Sequence, residues 1–299
     1  MYAWGDFMED WARPGAYRFD SARRAERERD AALAAASGPR TYAVRGPDED
    51  LIDPRKRAAS QSSNPLIVAT DVTGSMRDWP AEIFDRLPLF YQTLSQYRPD
   101  LEICFAAIGD AYCDHWPLQV TDFARGFALE TRLKALYGEG GGGDEPESYG
   151  LFAWWVDHHV TVSAAEKPFL IVFGDATMHS RVPAAQVRGL LGDEVEQDAD
   201  SVATWKRVAR RWNVWFLRRA GRPGDRIDRQ WGRAVGSQHI LHIHDEQRAV
   251  DYAMGLIARH WGYFDDFRAN MSARQPESRV AELEGRLRAL PTRPMSLPA

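Results

Sequence analysis

The feature that most constrains this chain is an alternation that begins at Pro65. Short apolar runs rich in β-branched residues take turns with longer segments of helical period. The runs fall at 66–70 (LIVAT), 101–108, 169–173, 213–217 and 240–244, with a short return strand at 118–120. An apolar run of this length without polar alternation suits a strand covered on both faces, as parallel strands are. Helices are expected at 80–97, 129–137, 147–160, 201–212, 227–235 and 245–261. Ile83, Leu87, Phe90 and Leu94 make the apolar stripe of the first, and Val202, Trp205, Val208 and Trp212 that of the fourth. Pro88 falls inside the first helix and is expected to kink or split it. Repeated strand–helix units imply an α/β fold, a doubly wound and mostly parallel sheet with helices on both faces. In such sheets the working groups lie in loops at the C-terminal ends of strands, near the topological switch point.

The flanks read differently. Residues 1–63 form an N-terminal extension, with aromatics Tyr2, Trp4, Phe7, Trp11, Tyr17 and Phe19, a charged helix within 20–38 and a polar linker. Residues 64–262 are the α/β domain, and 263–299 a C-terminal tail with a weak helix at 277–290. A net charge of -5 gives no overall basic field for nucleic acid or an anionic membrane. Cys104 and Cys113 are the only cysteines, which excludes a disulfide scaffold and a four-thiolate zinc site. The first fifteen residues lack the basic and apolar regions of a secretory signal, and no stretch reaches the ~20 apolar residues of a membrane span. A soluble cytoplasmic protein is expected.

Three loops carry unusual chemistry. Asp71-Val72-Thr73-Gly74-Ser75 follows LIVAT directly and offers a carboxylate and two hydroxyls at i, i+2 and i+4. Residues 140–147 (GGGGDEPE) join four glycines to Asp144, just before a helix opened by Pro146. Gly174-Asp175-Ala176-Thr177 follows the run at 169–173. All three fall on one rim of the expected sheet. Oxygen donors without histidine or cysteine describe a magnesium-class site, completed by waters. Taken singly, the aspartates read as helix caps and the glycines as a mobile loop.

A strand followed by DxTGS, then GGGDxPE opening a helix, then a strand followed by GD resembles the von Willebrand factor A domain over about 64–262. The resemblance implies a Mg²⁺ site of the metal-ion-dependent adhesion type, with Mn²⁺ as an alternative. Its ligands would be Asp71, Thr73, Ser75, Asp144 and Asp175, supported by Gly143, Glu147 and Thr177 as neighbouring or partner-facing residues. Thr73 replaces the first serine of the family's DxSxS, and Asp144 stands where adhesion-type domains place a threonine. The sheet order implied is 3-2-1-4-5-6 with one antiparallel edge strand. The sequence is most similar to the intracellular prokaryotic branch, which often works beside MoxR-type AAA+ ATPases. The implied function is a non-enzymatic adaptor or scaffold that binds a protein partner through the metal, the partner being such an ATPase or its substrate.

Two other classes compete. The Asp71 loop also resembles the nucleophile loop of haloacid-dehalogenase-type phosphohydrolases, with Lys167 and Gly174-Asp175 in supporting roles. The fit is poor, because His179 stands where a second acid belongs and the glycine loop is left without a task. A metal-independent structural component that assembles through its ends is the third reading. Other signals read as structural. His239, His242 and His244 lie along one strand, and His158 and His159 point apart on a helix. Cys113 and His115 resemble a pair only in spacing, and the acidic run 192–200 reads as a solvated loop and cap. The glycine run lacks the Lys-Ser/Thr of a phosphate loop. Most tryptophans sit on helical stripes and are expected in the core.

Overall fold

The computed structural model describes residues 46–290 apart from 78, 142–144, 166–167 and 220. The aromatic start and the helix at 20–38 lie outside the described residues, as do Gly143, Asp144 and Lys167. A six-stranded sheet forms the frame. Its strands are β1 (Pro65–Asp71), β2 (Glu102–Ile108), β3 (Leu118–Val120), β4 (Phe169–Gly174), β5 (Asn213–Arg219) and β6 (Ile240–Ile243). They lie in the order β3-β2-β1-β4-β5-β6. All neighbours are parallel except β3, which runs antiparallel to β2 at the edge. This is the order 3-2-1-4-5-6 expected above.

The apolar runs became strands because they are covered on both faces. Side chains alternate along each strand. Leu66 and Val68 of β1, with Phe169, Ile171 and Phe173 of β4, enter one core. Ile67 and Ala69, with Leu170 and Val172, enter the other. The first core is closed by α1 (Trp79–Tyr97), α2 (Ala128–Lys134) and, beyond β6, α6 (Ala249–Trp261). The second is closed by α3 (Tyr149–His159), α4 (Ser201–Arg211) and α5 (Arg226–Val235). Trp79, Trp155, Trp205, Trp212, Trp215 and Trp231 are all core residues, as their helical and strand positions required. α1 runs through Pro88 as one helix and is not split. The proline is buried in the middle of the apolar face, so packing on both sides of it outweighs the lost backbone bond.

Two flanking segments join the body. Residues 264–289 form α7 (Phe264–Ser272) and α8 (Glu277–Ala289), and Phe267, Met271, Val280, Leu283 and Leu287 extend the first core. Ahead of β1, Ile52 is buried, and Ala58–Ser60 pairs in parallel with Val160–Val162. Among the described residues, no helix is long and apolar enough to cross a membrane.

Candidate metal centre

β1 pairs with β2 on one side and β4 on the other, so its C-terminal end is the switch point of the sheet. Asp71 ends β1 there, and Asp175 directly follows β4. After Asp71 the chain turns into the short helical turn Gly74–Met76. Gly74 lies close against the glycine loop at that turn. Its N–H donates to the Gly141 carbonyl at 2.8 Å, and a Cβ would stand only 3.0 Å from the Gly140 carbonyl oxygen. Arg77 closes the turn with φ 52°, a left-handed conformation that a non-glycine residue keeps only when its surroundings enforce it. On the far side of the glycine loop, Pro146–Glu147 pairs in parallel with Thr177–Met178. The glycine loop is thus fastened to the loops after β1 and β4.

The oxygen atoms converge. Asp71 Oδ1 accepts the Thr73 hydroxyl at 2.6 Å and the Thr73 N–H at 2.9 Å. The Thr73 and Ser75 hydroxyls lie 3.4 Å apart, and the Ser75 hydroxyl donates to Asp175 Oδ1 at 2.8 Å. Neighbouring oxygens around an octahedral Mg²⁺ with bonds of ~2.0–2.1 Å stand about 2.9 Å apart. Asp71, Thr73, Ser75 and Asp175, four of the five expected ligands, are thus linked by one chain of oxygen contacts of 2.6, 3.4 and 2.8 Å, while Asp144 lies outside the described residues. Among the described residues, no group of three or more His, Cys, Asp or Glu side chains is arranged to hold a metal ion. This set differs in kind, with two described carboxylates and two hydroxyls.

The charges are unbalanced. Burial, and next the Asp175 carboxylate, push Asp71 upward from the ordinary carboxylate range. Glu147 is pushed upward by burial and then by Asp71 and Asp110, and its Oε2 is buried without a hydrogen-bond partner. Burial also raises Asp175, against the Ser75 hydrogen bond and the nearby Arg219 and Arg218 guanidinium groups. Crowded acids of this kind ask for protons or for a cation. Glu147 and Thr177 are both buried and neither faces solvent.

Three neighbours escaped the sequence reading. Tyr149, at the start of α3, donates its hydroxyl to Asp71 Oδ2 in a short hydrogen bond. Its hydroxyl occupies the space that a Cβ on Gly174 would need, so the end of β4 must be glycine. Asp110, in the loop after β2, is buried and accepts from His179 Nε2 at 2.8 Å, Ser148 Oγ at 3.2 Å and Cys113 Sγ at 3.2 Å. Arg219, the last residue of β5, donates to the Ser75 carbonyl at 2.6 Å and lies 3.9 Å from Asp175 Oδ2. Asp110 and Arg219 both sit at strand ends, which was the available signal.

The remaining signals are structural. His115 pairs with Glu139, His159 with Asp193, and His242 with Asp228. The buried His239 ring bonds the Val214 carbonyl.

No family model and no curated protein matches the chain. Proximal thread matrix protein 1 from the mussel byssus superposes with a TM-score of 0.48 at 8% identity, over 70% of this chain and 49% of its own. The pilus adhesin SpaC of Lactobacillus rhamnosus GG, in its open conformation, gives 0.48 at 8% identity, over 71% of this chain and 31% of its own. The VWA domain of SpRpn10 gives 0.41 at 9% identity, over 64% of this chain and 94% of that domain. The chain spans about half the length of the mussel protein and about a third of the adhesin.

Proposed function

We propose that this chain is a von Willebrand factor A-type domain that binds a protein partner through Mg²⁺, with Mn²⁺ as a substitute. Asp71, Thr73, Ser75 and Asp175 hold the ion, Asp144 adds a further carboxylate, and the coordination position left open takes an oxygen from the partner. One observation carries the reading: oxygens of Asp71, Thr73, Ser75 and Asp175, from two loops, form one chain of contacts at the switch point of the sheet. The sheet order supports the same family. The proposed role is that of a non-enzymatic adaptor in the bacterial cytoplasm, working beside a MoxR-type AAA+ ATPase or presenting its substrate.

Asp71 is fully buried and both carboxylate oxygens accept hydrogen bonds, from Thr73 and Tyr149. Mg²⁺ binding without phosphate-ester turnover separates a ligand from a phosphoryl-accepting nucleophile here. Calorimetry should give one Mg²⁺ site in the wild type and none in Asp71→Ala, with both proteins folded by circular dichroism. Equal Mg²⁺ affinity in the two proteins would overturn the proposal. Retention of an AAA+ ATPase from the source cell by wild type with Mg²⁺, and not by Asp71→Ala, tests the partner.

A further inference from the structure

The acidic run at 193–200 and the two helices that follow it carry opposite charge. Residues 193–200 hold five acids and no cation. α4 holds four cations and no acid, and α5 holds three cations and Asp228, which is already taken by Arg218 and His242. A chain of net charge -5 thus concentrates positive charge on two adjacent helices, whose Trp205 and Trp231 rings meet beneath at 5.2 Å. Trp205 and Val208 face α4 inward, so Lys206 and Arg210, one turn apart, stand exposed on its outer side. Both patches are fastened to α3. Asp193 accepts the Trp154 Nε1–H at 2.9 Å and pairs with His159 Nε2 at 2.9 Å, while Arg207 Nε and Arg211 Nη2 reach Asp157 at 2.7 and 3.0 Å. The run then ends in Asp200, which caps α4 by accepting the Ala203 N–H at 2.7 Å. Arg188 donates to the Val195 carbonyl inside the run. Among the described residues, Glu194, Glu196, Lys206 and Arg210 are exposed and in no ion pair.

Opposite charges on neighbouring patches, both fixed to one helix, make this face its own complement. We propose that it is the contact between two copies of this chain: a twofold axis lays the acidic run of each copy on the basic side of α4 in the other. Glu194 and Glu196 of one copy meet Lys206 and Arg210 of its partner, and the partly buried Trp154, Val195 and Val202 supply apolar surface between them. Exposed ion pairs are weak singly, so the contact is reversible and weakens with salt. A nucleic acid fits less well, because a long polyanion crossing the basic helices also meets the acids anchored to α3. A solvated face without a partner would expose the same residues, and it predicts a chain that stays monomeric at every salt concentration.

Sedimentation equilibrium of the full chain separates the two. The wild type should dimerise, with a dissociation constant that rises about tenfold or more between about 0.1 and 1 M salt, as the screening length falls from about 10 to 3 Å. Two charge-reversed pairs, Lys206→Glu with Arg210→Glu and Glu194→Lys with Glu196→Lys, should each weaken self-association about a hundredfold. An equimolar mixture of the two should dimerise as well as wild type, because every reversed acid then meets a reversed cation. Circular dichroism checks that both are folded, and the neutral pair Lys206→Gln with Arg210→Gln takes the place of a reversal that does not fold, with a smaller loss expected. A wild type that is monomeric at low salt overturns the proposal, as does a dimer that the substitutions leave intact or a mixture of folded variants that stays as weak as its parts. A monomeric wild type that shifts duplex DNA in electrophoresis, and loses the shift with Lys206→Glu and Arg210→Glu, assigns the face to a polyanion and overturns it too.

Discussion

At the residue scale, Tyr149 and Arg218 do similar work by different means: each holds an aspartate at a loop that leaves the sheet. Tyr149 grips Asp71, and Arg218 holds Asp225 through Nη2 at 2.6 Å and Asp228 through Nη1 at 2.6 Å. The Arg218 side chain is 3% exposed, so its charge depends on those partners. The Arg218 hydrogen bond is the main reason that Asp225 is held below its ordinary value of 3.8. A carboxylate lowered in the folded state contributes stability that is fully present above 3.8 and is lost as the pH falls through the lower folded value. Asp225→Asn should therefore cost about 1–3 kcal/mol at neutral pH. The difference from wild type should shrink in urea unfolding at about pH 3. A difference that is the same at both pH values would remove the ion pair as its source. The placement of Asp71, Thr73, Ser75 and Asp175 was legible in the sequence because Asp71 and Asp175 stand at the ends of apolar runs and the two hydroxyls follow within four residues of Asp71. Tyr149 was not, because its bond to Asp71 spans 78 residues and its place on α3 looks like any apolar helix position. The tie from Arg219 to Ser75 spans 144 residues.

At the element scale, the strands and most helices followed from period alone, since a buried parallel strand has no polar face to confuse the pattern. The segment after Gly262 was less legible. Its Pro-, Arg- and Ser-rich sequence reads as a tail, yet α8 carries Val280, Leu283 and Leu287 at helical spacing on a face that only the fold reveals. All three enter the first core beside α6 and α7. Gly255 of α6 allows this approach, with Leu287 and Phe267 filling the place of a side chain. Leu283→Ala should then cost about 2–5 kcal/mol, as for a fully buried leucine. Denaturant unfolding measures it, and a cost under about 1 kcal/mol would mean that α8 does not pack as described.

At the scale of the whole molecule, the two cores share one sheet, and the proposed ion joins loops that leave it from β1 and β4. An ion bound only by the folded chain should add about 2.7 kcal/mol at a Mg²⁺ concentration one hundred times its Kd. For a domain of this size that is roughly 5–10 °C in Tm. Thermal unfolding with Mg²⁺ against EDTA checks it, and Asp71→Ala should show no difference between the two. An equal rise in wild type and variant would assign the effect to a site elsewhere.

The switch point also has a mechanical meaning. Strands β1 to β3 come from one continuous stretch of chain and β4 to β6 from a later one, and the halves meet along the β1–β4 ladder from Leu66 opposite Phe169 to Thr70 opposite Phe173. Asp71 lies at the rim of one half and Asp175 at the rim of the other. The proposed ion, held between them, would act as a rivet at the end of that seam, where a pull tending to part the halves would first open it. A partner tugging on the proposed ion would load both halves of the sheet at once and would not peel away a single loop.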